Sequence, residues 1–436
     1  MIRNPFIFFN AEHIDSCLSF CNSVVKLGLY FSTFILLSSF VSCNGSVNSL
    51  ESKYFTEDGV CVEHVKSFVS KAPSNIKFYM EVSGSMNGFL RSNQATHFKH
   101  DVWSIVTDFV SINGSVNVFA QQGEDAISIP VNDFRSGMNC GSFVSSASTV
   151  VPDMISNVLK DVDIKASEVG VLISDLKYDP VGYSAQNVLL LQYSTDIRNI
   201  MMLHPNTAVC LIVAKSEYLD KNGGILTQDS PYYYLLFGNK SNVVFMRNFI
   251  ATLLKGNNTY VDEIEWGIDY LTPSVKVSDE DYLTEIDPDK SYGDFDEECT
   301  ITLDIDITNF PWFFENKDTL ANRLSISSEG GTEAIVKAKN ITYEISYDDG
   351  KQLKRTAIAK VPIYIKNMYE DSDVFEIAIN IPEIQVPNTR FLRYLYSDNV
   401  NDVTTSYSVE GLLNGFYSSM ERFKKSHPIH LLISKN

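Results

Sequence analysis

A chain of 436 residues is long enough for two domains, each with its own core. Hydrophobic residues make up 44% and charged residues 20%, the balance of a globular protein and not of a disordered one. A net charge of -19 with no basic cluster excludes a sequence-independent grip on nucleic acid, which needs grouped Lys and Arg.

In chain order, residues 1–43 are expected to be a targeting segment outside any fold. Lys26 precedes the apolar run 27–41, "LGLYFSTFILLSSFV", which is closed by Ser42 and Cys43. A membrane-spanning helix needs about 20 apolar residues, so this run suits a signal-peptide core, with an uncleaved anchor helix as the alternative. "FVSC" resembles a bacterial lipobox, in which the cysteine is lipidated and becomes the new N-terminus; Phe40 stands where Leu is usual. That resemblance implies an exported protein of the cell envelope, on the outer membrane or the periplasmic face, touching membrane only through the lipid on Cys43. Residues 44–70 open with "NGSVNSLES", small and polar, and read as a tether. Beyond Cys43 remain Cys61, Cys140, Cys210 and Cys299, with no CxxC spacing, so neither a sulfur-bound metal nor a framework of disulfides is expected. Cys210, inside "TAVCLIVA", reads as a small hydrophobe.

From 71 to 257 short apolar runs alternate with helical patterns. Strands are expected at 76–82, 115–120, 126–131, 168–175, 207–214 and 231–238. Helices are expected at 98–112, where Val102, Ile105, Val106 and Phe109 share a face, and at 150–162, 185–203 and 241–254, with Ser241 as the cap of the last. Such alternation implies parallel crossovers: a doubly wound, mostly parallel sheet of the α/β class, covered on both faces. Residues 258–436 change character. The runs 300–308, 334–348, 356–366 and 374–384 alternate with period two, and Asp349-Gly350 suggests a hairpin turn. This half is expected to be an antiparallel, sandwich-like β-rich domain with a late helix at 409–426.

The chemistry concentrates at strand ends. "KFYMEVSGSMNGFL" (77–90) carries an apolar strand that stops at Glu81, followed by the hydroxyls of Ser83 and Ser85 and a glycine turn. Ser174 and Asp175 end the apolar run 168–175, and Ser148 and Thr149 precede the helix at 150. In an open parallel sheet, ligands bind at the carboxyl ends of strands. Two carboxylates and several hydroxyls form an all-oxygen set, which suits a hard cation such as Mg2+ or Mn2+.

The order Glu-x-Ser-x-Ser, then Thr, then Asp resembles the von Willebrand factor A domain and its metal-ion-dependent adhesion site. Glu81, Ser83 and Ser85 fall on the first motif, Thr149 on the threonine and Asp175 on the distal aspartate, over residues 71–257. Two departures stand out. Glu81 replaces an aspartate and is one methylene longer, and "SDLKYD" lacks the usual glycine after Asp175. The resemblance implies a divalent ion on Glu81, Ser83, Ser85, Thr149 and Asp175 that recognises an acidic side chain of a protein partner, with no catalytic residues. The alternatives are a metal-dependent hydrolase using the same pocket and a structural assembly component whose site has lost its ion.

Other motifs are weaker. Gly-x-Ser-x-Gly is absent at 84–88, where Met86 takes the centre, so serine hydrolysis is unsupported. His97 and His100 have no acid motif beside them and read as surface. Residues 287–298 match a calcium loop only in part, since Gly293 falls one position late, and read as an acidic connection.

Overall fold

A computed structural model describes residues 68–436, apart from 113, 124, 144–147, 149, 179–185, 270–274, 278–298, 348–354, 367, 369–371, 381–398, 421–427 and 435–436. These residues belong to one compact unit, His64–Asn436. The expected leader with Cys43, most of the tether, Cys61, Thr149, the acidic segment 287–298 and the Asp349-Gly350 turn lie outside the described residues.

Seven strands form the first sheet: β1 (Asn75–Glu81), β2 (Ser115–Gln122), β3 (Asp125–Ile129), β4 (Glu168–Ser174), β5 (Ala208–Leu219), β6 (Ile225–Gly238) and β7 (Tyr260–Trp266). Their order across the sheet is β3-β2-β1-β4-β6-β5-β7. β1 pairs in parallel with β2 and β4, and every other pairing is antiparallel. The sheet is therefore mixed, with antiparallel pairs in the majority, and not mostly parallel as the alternating pattern suggested. The cause is local. Residues 220–224, "DKNGG", make a tight turn in which Asp220 Oδ1 accepts the N–H of Asn222 at 2.7 Å and of Gly224 at 2.8 Å, and Gly223 has φ 86°. So short a link returns the chain antiparallel, whereas a parallel return needs a crossover of about a dozen residues or more. β6 thus inserts between β4 and β5, while β1, β2, β4 and β5 still run the same way and end at one edge.

Helices cover both faces, as expected. α1 (His97–Ser111), α2 (Val131–Cys140) and α5 (Lys240–Gly256) pack on one, and α3 (Val151–Asp161), α4 (Gln186–Met202) and α7 (Val409–Ser419) on the other. Pro152 falls in the first turn of α3, where its missing N–H costs nothing. α5 begins one residue before Ser241, and its cap is Asn239, whose side chain accepts the Asn242 N–H at 3.0 Å. α1 is capped by Thr96, and its Asp101 is wholly buried yet satisfied, accepting from Tyr232 at 2.7 Å, Thr259 at 2.6 Å and Asn257 at 2.7 Å.

Beyond β7 the described strands pair antiparallel. β8 (Val275–Val277), β9 (Cys299–Asp306), β11 (Glu333–Val336), β12 (Thr342–Tyr347) and β13 (Arg355–Lys366) form one sheet, and β10 (Leu324–Ser328), β14 (Ser372–Ile379) and β15 (Ile429–Ser434) a second, with the short helix α6 (Lys317–Arg323) leading into β10. The run expected as one strand over 334–348 is two, separated by a 3-10 turn at Ala338–Asn340. One apolar cluster extends from the α1/α5 face into Leu303, Val361 and Ile377 of these sheets. Two elements cross the expected boundary at 257: β7 completes the first sheet, and α7 packs on α4. Gly411 and Gly415 stand one turn apart on α7, where an added Cβ would come within 2.6 Å of Tyr193 and 2.5 Å of Ile197, so glycine lets the two helices approach. Among the described residues no helix is long and apolar enough to cross a membrane.

Candidate functional site

β1 and β4 are neighbours, but the chain travels outward from β1 through β2 and β3 before returning to β4. That reversal is the switch point at which open α/β sheets bind ligands. Register places Met80 opposite Ile173, so Glu81 and Ser174 leave the two strands side by side. Both are buried, Glu81 at 1% exposure and Ser174 at 0%. The Ser174 hydroxyl donates to Glu81 Oε2, and Ser174 Oγ accepts the Leu176 N–H at 2.7 Å. One serine therefore holds the Glu81 carboxylate and shapes the turn that carries Asp175.

Ser83 and Ser85 follow β1, with their hydroxyl oxygens 3.0 Å apart. Tyr218, on the β5–β6 hairpin, fixes this loop from the other side by donating to the Ser85 carbonyl at 2.8 Å. Gly88 lies under the same ring, where a Cβ would approach Tyr218 to 2.3 Å, so that position admits only glycine without rearrangement. The structure thus brings Glu81, Ser83, Ser85 and Asp175 to one edge, with Ser174 between them. Thr149, the remaining expected ligand, lies outside the described residues.

Asp175 is 2% exposed. Its Oδ1 accepts the Lys177 N–H at 3.2 Å, while its Oδ2 is buried and makes no hydrogen bond of good geometry with a described residue. Burial pushes its carboxyl above the ordinary value, opposed by the Lys177 charge, the Lys177 N–H and the nearby Ser85 hydroxyl. The position after it, where the resemblance expects glycine, is Leu176 at φ 52°. A leucine in the left-handed region costs about 1–2 kcal/mol, and such strain is held where the surroundings over-determine it.

Sequence reasoning missed the site's cation. Lys177 is buried at 6% exposure, and its ammonium donates to the carbonyls of Val400 at 3.2 Å and Asp402 at 2.6 Å. Burial lowers its pKa, and the charges of Asp175 and Asp402 oppose that. Its sequence signal was its place two residues after Asp175 in "SDLKYD". The acid partner of His97 was also missed: Glu217 accepts the His97 backbone N–H at 2.9 Å, with its other oxygen 2.6 Å from Nδ1. It comes from β5 and closes the start of α1, away from the serine loop.

Shortening Glu81 by one methylene would draw its carboxylate back from the Ser174 hydroxyl. Glu81→Asp is therefore expected to lose about 1–3 kcal/mol of stability in the metal-free protein, the cost of a buried charged hydrogen bond. Urea unfolding checks it; unchanged stability would mean that the Ser174 bond is not a structural one.

Among the described residues no three His, Cys, Asp or Glu side chains gather as a metal centre. Two carboxylates with hydroxyls are a different kind of donor set, one that matches hard cations through oxygen alone. No protein family, curated protein or solved structure matches the chain.

Proposed function

We propose that this edge binds a protein partner through a divalent cation, Mg2+ or Mn2+, held by Asp175, Ser83 and Ser85, with Glu81 and Thr149 completing the set. The observation that carries the proposal is Asp175 Oδ2, buried at the switch point of the sheet and without a hydrogen bond of good geometry from any described residue. A buried carboxylate oxygen short of donors is costly, and a bound cation relieves that cost. Supporting the same reading, the serines follow β1 and Asp175 follows β4, the fourth strand, as in the von Willebrand factor A arrangement. Neutral hydroxyl ligands leave the ion able to take a further oxygen, here an acidic side chain of the partner. The ion would supply charge for recognition, and the chain's own residues orient it.

The test is thermal unfolding of the purified protein with and without Mg2+ or Mn2+. An ion that binds only the folded state stabilises it by RT ln(1 + [L]/Kd), about 2.7 kcal/mol at a hundredfold excess over Kd. The melting temperature is expected to rise with either ion; no shift at millimolar metal would contradict the proposal.

The same proposal places the protein at the cell envelope, anchored by lipid on Cys43 ahead of a polar tether. Cys43→Ala is expected to abolish incorporation of labelled fatty acid and to release the protein from the membrane fraction. Unchanged labelling and fractionation would reject Cys43 as the anchor.

A further inference from the structure

Lys177 connects the site to a distant part of the chain. Residues 399–407 pass over the strand ends as a strap, held by contacts that converge on the Asp175 loop. The Lys177 ammonium donates to the carbonyls of Val400 and Asp402, at 3.2 and 2.6 Å. The Ser406 hydroxyl lies 3.0 Å from the Asp175 carbonyl, to which it donates, and 2.7 Å from the Tyr233 hydroxyl. The Tyr178 N–H donates to the Tyr407 carbonyl at 3.4 Å, and Ser230 donates to the Val403 carbonyl at 2.5 Å. Within the strap, Asp402 accepts from the Thr404 N–H at 2.9 Å and its hydroxyl at 2.7 Å, which fixes the turn that presents the 400 and 402 carbonyls. Residues more than 220 positions apart are thus tied together beside a buried carboxylate that, among the described residues, lacks a full set of donors.

The Lys177 side chain is buried nearly as fully as the Asp175 carboxylate two residues before it, 6% against 2% exposed, and lies within the influence of its charge. A buried cation is tolerated only with a counter-charge, and Asp175 supplies one. Asp175 can serve Lys177 or a divalent ion, but not both equally, because like charges a few ångströms apart in a poorly solvated site repel strongly.

We propose that Lys177 is an internal competitor for the cation at this site, and that loading the site weakens the hold of Lys177 on the strap 399–407. The inference rests on the cation reading above and adds its regulation: the chain carries its own counter-ion, and an incoming ion is reported on the strap surface. The strap then offers a partner a different surface in the ion-bound and ion-free states.

The experiment uses the full chain with Mg2+ as the probe, comparing wild type with Lys177→Met, which keeps the aliphatic stem, and Lys177→Arg, which keeps the charge. Calorimetry is expected to show Lys177→Met binding Mg2+ about 10-fold or more tighter than wild type, the scale on which second-layer groups act on metal sites, with Lys177→Arg close to wild type. Hydrogen exchange of the 400–407 amides is expected to quicken when Mg2+ is added to wild type. In Lys177→Met it is quick already and does not respond. Equal affinity in wild type and Lys177→Met, or a strap in wild type whose exchange ignores Mg2+, overturns this inference alone. Mg2+ binding by neither protein overturns the cation reading and this inference together. The exchange measurement on wild type stands even if Lys177→Met does not fold.

Discussion

Arg247→Ala is expected to destabilise the protein by about 3–5 kcal/mol, the cost of stripping one partner from a buried ion pair. Arg247 projects from α5 and is wholly buried. Its Nη1 donates to Glu265 at 2.8 Å, and its Nε lies 3.7 Å from Glu263. Its Nη2 donates to the Asn309 carbonyl at 2.6 Å and to Asn248 at 2.9 Å. Both glutamates belong to β7, and Asn309 belongs to the segment that follows β9, so one guanidinium joins a helix, the edge of the seven-stranded sheet and the start of the antiparallel half. Burial pushes the Glu263 carboxyl up, and the Arg247 charge is the largest influence opposing that. Without Arg247, two carboxylates face an interior in which Glu263 keeps the Trp312 N–H at 3.1 Å, the Tyr260 hydroxyl and the charge of Arg355, while its largest counter-charge is gone. Arg355 is itself committed to Glu315 at 2.6 Å and stacks on Trp312, 4.2 Å from the ring centre. Urea unfolding of the variant measures the loss. A shift below about 1 kcal/mol, the scale of an exposed pair, would show that the network contributes no more than a surface one.

The elements were legible where a local pattern decides them. "VGVLI", the apolar heart of "EVGVLIS", becomes β4, buried between two strands and beneath helices on both faces. Helical spacing in 98–112 gives α1, whose Phe98, Val102, Ile105 and Phe109 all reach the core. The strand-end carboxylates and serines were legible for the same reason: an apolar strand that stops at an acid places that acid at the sheet edge. What escaped depends on partners far along the chain. Nothing local in 409–419 says that its apolar stripe and two glycines fit α4 in place of the nearer antiparallel sheets. The "DKNGG" turn was a local signal, and reading it would have closed β5 and β6 into a hairpin and turned the sheet mixed. α2 was passed over because its apolar residues, Val131, Phe134 and Met138, are diluted by polar ones and no side chain caps it. Lys177 was invisible as a site residue because its meaning lies in the Val400 and Asp402 carbonyls, which sequence spacing does not bring near.

The largest effect on binding is expected at Asp175. Its side chain follows β4, is buried, and has one oxygen committed to the Lys177 N–H and the other without a well-placed donor among the described residues. Asparagine keeps the size and the acceptor for that N–H but removes the charge. Loss of an outer partner alone weakens metal sites by about 10–100-fold, so removing a charged ligand should exceed about 100-fold. Ser83→Ala and Ser85→Ala together are expected to weaken binding less, because a hydroxyl contributes a dipole where Asp175 contributes a charge. Calorimetric titration of Mg2+ into wild type and Asp175→Asn is the most direct measurement: the wild type should bind one ion, and Asp175→Asn should show no binding in the same range. Equal affinity in the two proteins, or heat absent from both, would contradict a cation site at this strand edge.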